Sequence, residues 1–371
     1  MTVNFAPFSR RLVLAAGLAK ALSPAYAQTK NDARAQTELR FPRDLGSHPD
    51  FAIEWWYVTG HVLSGNSPNQ RQFGFQITFF RSKVESTQTL QSAFAAKQLI
   101  FAHAAVTDVG GKKMLQDQRI ARQGFEVAQA SEKDTSIVLR DWSLQRNDGQ
   151  YHAIATSDQF DFDFVLNQTQ PMLLQGKQGV SRKGPDEKQV SFYYSLPQLN
   201  VTGTLRLGPQ RLPVQGTAWL DHEWSHELLH PQAVGWDWIG MNLFDGSALT
   251  AFRLRDATGN ALWDGGSFRH PSMDAASGPY IFSRGEVQFQ ALRGWTSAST
   301  RARYPVEWLV RTPADFYTVK AVIDNQELNS RSSSGTIYWE GLSELFDSNG
   351  NLVGRGYLEM TGYAAPLRLL T

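Results

Sequence analysis

The chain has no cysteine among its 371 residues, which excludes disulfides and thiol catalysis. Beyond the N-terminal segment no stretch approaches the ~20 apolar residues of a membrane-spanning helix. No basic run and no phosphate-binding glycine loop are present, so nothing points to nucleic acid. A G-x-S-x-G nucleophile elbow is missing too, which disfavours a serine hydrolase of that fold. Net charge is nearly absent: 36 Lys and Arg against 35 Asp and Glu leave +1. What the chain does have is 42% hydrophobic and 12% aromatic residues, enough for a substantial core and too much for disorder. Its length suits two ordinary domains or one large one.

The N-terminus reads as an export signal. Ser9-Arg10-Arg11-Leu12-Val13-Leu14 is a twin-arginine pattern, and an apolar run over Leu12 to Ala19 follows. Ala25-Tyr26-Ala27 then supplies the small residues that a signal peptidase reads. Residues 1–27 are therefore expected to be removed, giving a periplasmic or secreted protein exported by the twin-arginine route. Their loss takes away Arg10, Arg11 and Lys20 but no acid, which moves the net charge from +1 to about −2. That route carries folded cargo and suits a chain with no disulfide to form. Residues 28–40 are polar and expected to be flexible.

From Phe41 onward period-two patterns dominate. Phe73, Phe75, Ile77 and Phe79 alternate with Gly74, Gln76 and Thr78, and Phe160, Phe162 and Phe164 alternate with Asp161 and Asp163. Such alternation predicts half-buried strands. Asn147-Asp148-Gly149, Thr258-Gly259-Asn260 and Asn349-Gly350-Asn351 are hairpin signals. One short helix is predicted, over Gln91 to Leu99. A weak internal echo relates Trp55-Trp56-Tyr57-Val58-Thr59-Gly60 to Trp236-Asp237-Trp238-Ile239-Gly240-Met241. It suggests two similar β domains, over residues 41–226 and 227–371.

The chemistry concentrates in two stretches. In Ile53-Glu54-Trp55-Trp56-Tyr57, strand alternation puts Trp55 and Tyr57 on one side and Glu54 and Trp56 on the other. An apolar neighbourhood there would keep Glu54 protonated. The second stretch, Trp219-Leu220-Asp221-His222-Glu223-Trp224, sets two carboxylates and an imidazole between tryptophans. Asp221, on the face of Trp219, is a candidate general acid. The competing reading is a hydrogen-bonded carboxylate that ties indole N–H groups or strand ends. His222-Glu223-Trp224-Ser225-His226 also fits the zinc motif H-E-x-x-H. That motif needs a helix, however, and Gly216 upstream and Pro231 downstream leave little room for one. Leu229 and Gln232 stand where the extended metzincin form has Gly and His. No metal and no cofactor are therefore expected. His103, in Phe101-Ala102-His103-Ala104-Ala105, is a candidate ligand-binding polar group, though a lone histidine in a small-residue strand is more often a satisfied structural residue than a catalyst.

Several of these segments together resemble one family. Glu54 to Gly60, Phe101 to Asp108, Ala218 to Trp224, Gly235-Trp236-Asp237-Trp238 and Gly356-Tyr357-Leu358-Glu359-Met360-Thr361-Gly362-Tyr363 look like the AttH/CrtC-type lipocalin-like proteins. That group includes carotenoid 1,2-hydratases and kievitone hydratase. The resemblance runs in order from about residue 45 to 363, and it is closer to an exported branch than to the carotenoid enzymes. It implies a mainly β fold, with two lipocalin-like antiparallel β-barrel domains packed together and a ligand cavity at or between them. It also implies an apolar, isoprenoid or lipid-like small molecule as partner. Two function classes follow: a hydro-lyase acting on that molecule, or a carrier that shelters it unchanged. Hydration would use Asp221 or Glu54 as acid and Trp55, Trp56, Tyr57, Trp219, Trp236 and Trp238 as an aromatic wall. His222, Tyr194 or Asp237 would place the water. Ester or lactone hydrolysis is a weaker third reading, because no oxyanion site is visible.

Overall fold

In a computed structural model, residues 38–66, 68–227, 229–272 and 278–367 are described. The export signal over residues 1–27, and residues 28–37 of the segment expected to be flexible, lie outside them. The described residues contain no α-helix. They form a 13-stranded sheet from residues 53–225 and a 10-stranded sheet from residues 235–360, antiparallel throughout. The expectation of a mainly β chain with two barrel-like sheets holds.

Both sheets begin in the same way. Ile53–Ser64 lies between the next strand, Arg71–Lys83, and the last strand of its sheet, Gln210–Ser225. Gly235–Leu243 likewise lies between Ala248–Arg255 and the last strand of its own sheet, Leu352–Met360. The echo between Trp55 and Trp236 therefore marks equivalent strands. Far along the first sheet, Arg119 of Lys113–Arg122 lies over the Trp142 ring at 4.8 Å and donates to the Thr156 carbonyl. That contact curls the sheet towards closure.

The predicted alternation explains the interior of this barrel. Phe73, Phe75, Ile77 and Phe79 are buried, as are Phe160, Phe162 and Phe164. The Phe75 and Phe164 rings meet edge to face at 4.7 Å. Each such fully buried side chain contributes roughly 1.5–3 kcal/mol. The hairpin between Trp142–Asn147 and Gln150–Thr156 turns on Asp148 and Gly149, both with positive φ, as a two-residue primed turn requires. Ile239, Met241, Leu249, Trp308, Trp339 and Leu358 form the core of the second sheet. A third apolar cluster joins the sheets, with Tyr57, Leu173 and Trp219 from the first packed against Trp238, Phe252, Leu342 and Tyr357 from the second.

The predicted helix over Gln91 to Leu99 is replaced by a turn leading into the strand Gln98–Asp108. Phe94 is exposed, and its N–H donates to Ser92 Oγ at 3.1 Å. So short a segment with no buried apolar face cannot hold a helix, whose nucleation is costly.

Candidate functional site

Two faces of one strand pair define two separate sites. Ile53–Ser64 pairs with Gln210–Ser225 so that Trp55 stands opposite Glu223 and Tyr57 opposite Asp221. On the other face Glu54 stands opposite Trp224 and Trp56 opposite His222. The first set points towards the second sheet, the other set into the barrel.

Inside the barrel, Glu54 is fully buried and saturated with donors. Its Oε2 accepts from Ser47 Oγ and Arg81 Nε, each at 2.8 Å. Its Oε1 meets His48 Nδ1 at 2.8 Å and His222 Nε2 at 2.9 Å. His48 Nε2 lies 3.0 Å from Asp44, and its ring stacks on Trp224 at 3.7 Å. Burial opposes charge on Glu54, yet the histidines and Arg81 together hold its carboxyl well below the usual range. Glu54 is thus an ionised structural hub, and the expectation of a protonated acid is corrected. His222 is also corrected. Burial pushes its imidazole down to about 4, and its Nδ1 is taken by the Tyr194 hydroxyl at 3.1 Å. Trp56 stacks on His222 at 4.7 Å. His222, Tyr194 and Trp56 all sit with Glu54, away from the cavity described below.

Because His222 and Glu223 are successive residues of a strand, they point to opposite faces and the H-E-x-x-H geometry does not form. His226 stacks instead on Phe51 at 4.3 Å. His48, Glu54 and His222 do present ligand atoms within 4.8 Å of one another. Glu54, however, is already bonded to both histidines and to Arg81. Prolonged dialysis against a chelator is expected to leave the thermal midpoint unchanged. A drop that added zinc reverses would show the triad to be a metal site.

On the opposite face lies a cavity of about 130 Å³ between the two sheets. Its wall includes Trp55, Tyr57, Tyr193, Trp236, Trp238 and Phe252. Asp221 opens onto it and is buried. Its Oδ1 accepts from Ser195 Oγ at 2.5 Å and Trp219 Nε1 at 2.7 Å, and its Oδ2 accepts from the Tyr193 hydroxyl at 2.9 Å. Burial outweighs these three donors and pushes Asp221 up to about 7, with Glu223 adding to the rise. A carboxylate offers about four lone-pair positions, so one on Oδ2 remains for a proton. Glu223 is paired with Lys183 at 2.9 Å and accepts from Ser191. The Lys183 ammonium lies over the Phe252 ring at 4.3 Å. Glu340 and Glu359 enter from the second sheet, directly opposite each other on adjacent strands. Both are pushed up, chiefly by burial; Glu359 opposes charge on Glu340, and Glu223 and Asp221 oppose it on Glu359.

Of the residues singled out from sequence, the cavity brings together Asp221, Trp55, Tyr57, Trp236, Trp238 and His103. His103 has both ring nitrogens occupied, by the Tyr338 hydroxyl at 2.7 Å and Ser333 Oγ at 2.8 Å. Burial pushes it down to about 3, so it is neutral. Trp219 spends its indole N–H on Asp221 and lines a second cavity, beside Thr59, His61 and Asn242. Asp237 is fully buried between Arg253 at 2.7 Å and Arg255 at 2.9 Å and accepts from the Tyr363 hydroxyl. It does not line the cavity. Sequence reasoning missed Lys183, Phe252, Glu340 and Glu359 as cavity residues; Glu223 was one of the two carboxylates of its stretch, and Tyr193 was passed over for Tyr194. Glu340 and Glu359 were visible as acids within aromatic strands, but their pairing across strands was not.

Fold and cavity define a two-sheet, lipocalin-like β protein with a buried carboxyl poised in an aromatic chamber. The AttH-like family profile matches residues 32–363, and the chain belongs to that family. It is similar to a Nitrosomonas europaea protein assigned as AttH, at 43% identity over 89% of this chain and 98% of that one, with a TM-score of 0.80. Kievitone hydratase from Nectria haematococca shares the fold at 13% identity, covering 90% of this chain and 95% of that one, with a TM-score of 0.67. CghA is similar at 11% identity, covering 89% and 95%, with a TM-score of 0.51. No curated protein matches the chain.

Proposed function

We propose that the protein acts on an apolar, isoprenoid or lipid-like molecule in the cavity between the sheets, adding water across a double bond with Asp221 as proton donor. The observation that carries this reading is a carboxyl held near pKa 7 in an aromatic wall. Proton transfer from Asp221 to the alkene leaves a carbocation, which each aromatic face stabilises by up to ~2 kcal/mol when desolvated. Water then adds to the cation and returns a proton to the Asp221 carboxylate. Tyr193 places a hydroxyl on Asp221 Oδ2, beside the donor position. Kievitone hydratase, which shares the fold, carries a hydratase name and supports this class of reaction.

A carrier is the second reading, and one observation favours it. The residues first expected to place water, His222, Tyr194 and Asp237, all face away from the cavity. One experiment separates the two readings. Small molecules that co-purify with the protein are identified by mass spectrometry and then incubated with it in ¹⁸O-labelled water. Hydration predicts a product heavier by one labelled water, at least 100-fold slower with Asp221→Asn. A ligand recovered unlabelled after prolonged incubation supports the carrier. The twin-arginine pattern at Arg10-Arg11 supports export to the periplasm. Arg10→Lys with Arg11→Lys is expected to leave the protein in the cytoplasm on cell fractionation.

A further inference from the structure

The cavity wall contains three polar atoms that the proton-donor reading does not use. Glu340 Oε1, the Tyr57 hydroxyl and Thr78 Oγ1 are buried, belong to residues lining the cavity, and lack a hydrogen-bond partner among the described residues. Leaving a buried polar group unpaired is costly, and Tyr57 links the other two. Tyr57 and Thr78 stand opposite each other on adjacent strands. Glu340 comes from the second sheet; burial raises the Tyr57 hydroxyl most, and the nearby Glu340 adds to the rise. The Tyr57 and Tyr338 hydroxyls and the Gln76 amide approach Glu340, but none reaches hydrogen-bond geometry at its Oε1. Elsewhere on the wall, Asp221, Glu223 and His103 have their partners.

We infer that Glu340, Tyr57 and Thr78 form a subsite for an uncharged oxygen function, a hydroxyl or a carbonyl, on an otherwise apolar ligand. The inference rests on the reading of the cavity as an apolar-ligand site. Glu340 faces Glu359 across the strands in apolar surroundings, where two carboxylates cannot both ionise. Glu340 therefore keeps its proton, and its carboxyl both donates and accepts. The hydroxyls of Tyr57 and Thr78 do the same. Three such groups without fixed charge match an oxygen that carries none, whereas an ammonium calls for an ionised carboxylate. Tyr57 is also the cross-strand partner of Asp221. The subsite thus adjoins the acid and selects which part of the ligand faces it.

The test uses 1-octanol, 2-octanone, octane and octylamine as probes. Binding is followed by the fluorescence of Trp55, Trp236 and Trp238, which line the cavity. In Thr78→Val and Tyr57→Phe the affinity for octanol or octanone relative to octane should fall about tenfold, the scale of one hydrogen bond made in a buried site. Thr78→Ser should restore it, and near-ultraviolet circular dichroism checks that each variant folds. If octane binds but the ratio is the same in every variant, the subsite falls while the cavity reading stands. If octylamine binds tightest and Glu340→Gln removes that preference, the subsite is for a cation and the inference is overturned. If no probe binds the wild type, both readings fall.

Discussion

Glu54→Gln is expected to destabilise the fold by about 3–5 kcal/mol, the usual cost of removing one partner from a buried ion pair. Glu54 accepts from Ser47, His48, Arg81 and His222, all buried with it. A glutamine of the same shape would turn an N–H₂ group towards donors and leave the guanidinium of Arg81 without its counter-charge. Urea denaturation at pH 7 measures the loss, and the pH dependence identifies its cause. Glu54 is held well below its ordinary value. Its contribution is therefore fully present above about 4.5, its unfolded value, and disappears as pH falls through the folded one. The gap between wild type and Glu54→Gln should narrow in acid. Burial opposes charge on His48, but Asp44 and Glu54 outweigh it and raise its pKa. Its stabilisation is complete below about 6.5 and fades as pH rises through the folded value. Replacing the pair by Glu54→Leu with Arg81→Met should recover part of the loss, because no charge is then left unpaired. A Glu54→Gln protein as stable as the wild type would mean that the network is not ionised.

The strands were legible in the sequence because each barrel face is filled by large alternating residues such as Phe73, Phe75, Ile77 and Phe79. Trp55 and Tyr57 were correctly separated from Glu54 and Trp56 for the same reason, since a strand has only two sides. The sequence could not say which of those sides faced a cavity. Glu54 looked like an acid in an apolar wall, whereas the partners that ionise it come from other strands, Arg81 from the next one and His222 from 168 residues away. The choice between Tyr193 and Tyr194 was hidden more deeply. Counting back from the turn between Leu207 and Gln210, an unbroken hairpin would set Tyr194 opposite Glu223. A bulge between Leu196 and Leu199 shifts the register by one residue, so that Tyr193 faces Glu223 and the cavity. Pro197 inside the strand and the positive φ of Gln198 mark the place. Pro197 was the available signal, since proline within a strand is confined to edges and bulges.

Asp221→Asn is expected to stabilise the protein while slowing any turnover at least 100-fold. Asp221 keeps its proton up to about 7 in the folded chain, whereas in the unfolded chain it ionises near 3.9. Between these values the folded state binds more protons than the unfolded one, so the wild type loses stability as pH rises. Asparagine does not titrate. Its side-chain oxygen still accepts from Ser195 and Trp219, and its N–H₂ group donates to the Tyr193 hydroxyl in place of the bond Tyr193 now makes. The gain should be near zero below pH 4, grow through pH 5 and 6, and level off at about 2–4 kcal/mol above pH 7. Denaturation of both proteins at pH 4, 6 and 8 reads this directly. A constant gap across that range, or a loss at pH 8, would mean that Asp221 is an ordinary ionised carboxylate tying Trp219 to its strand. Glu340 and Glu359 share the same sign, because burial raises both. Each of these carboxyls lowers stability at neutral pH, and an apolar residue in their place would relieve it. Under the proposed function that cost keeps a proton on Asp221 and on Glu340 where the ligand would lie.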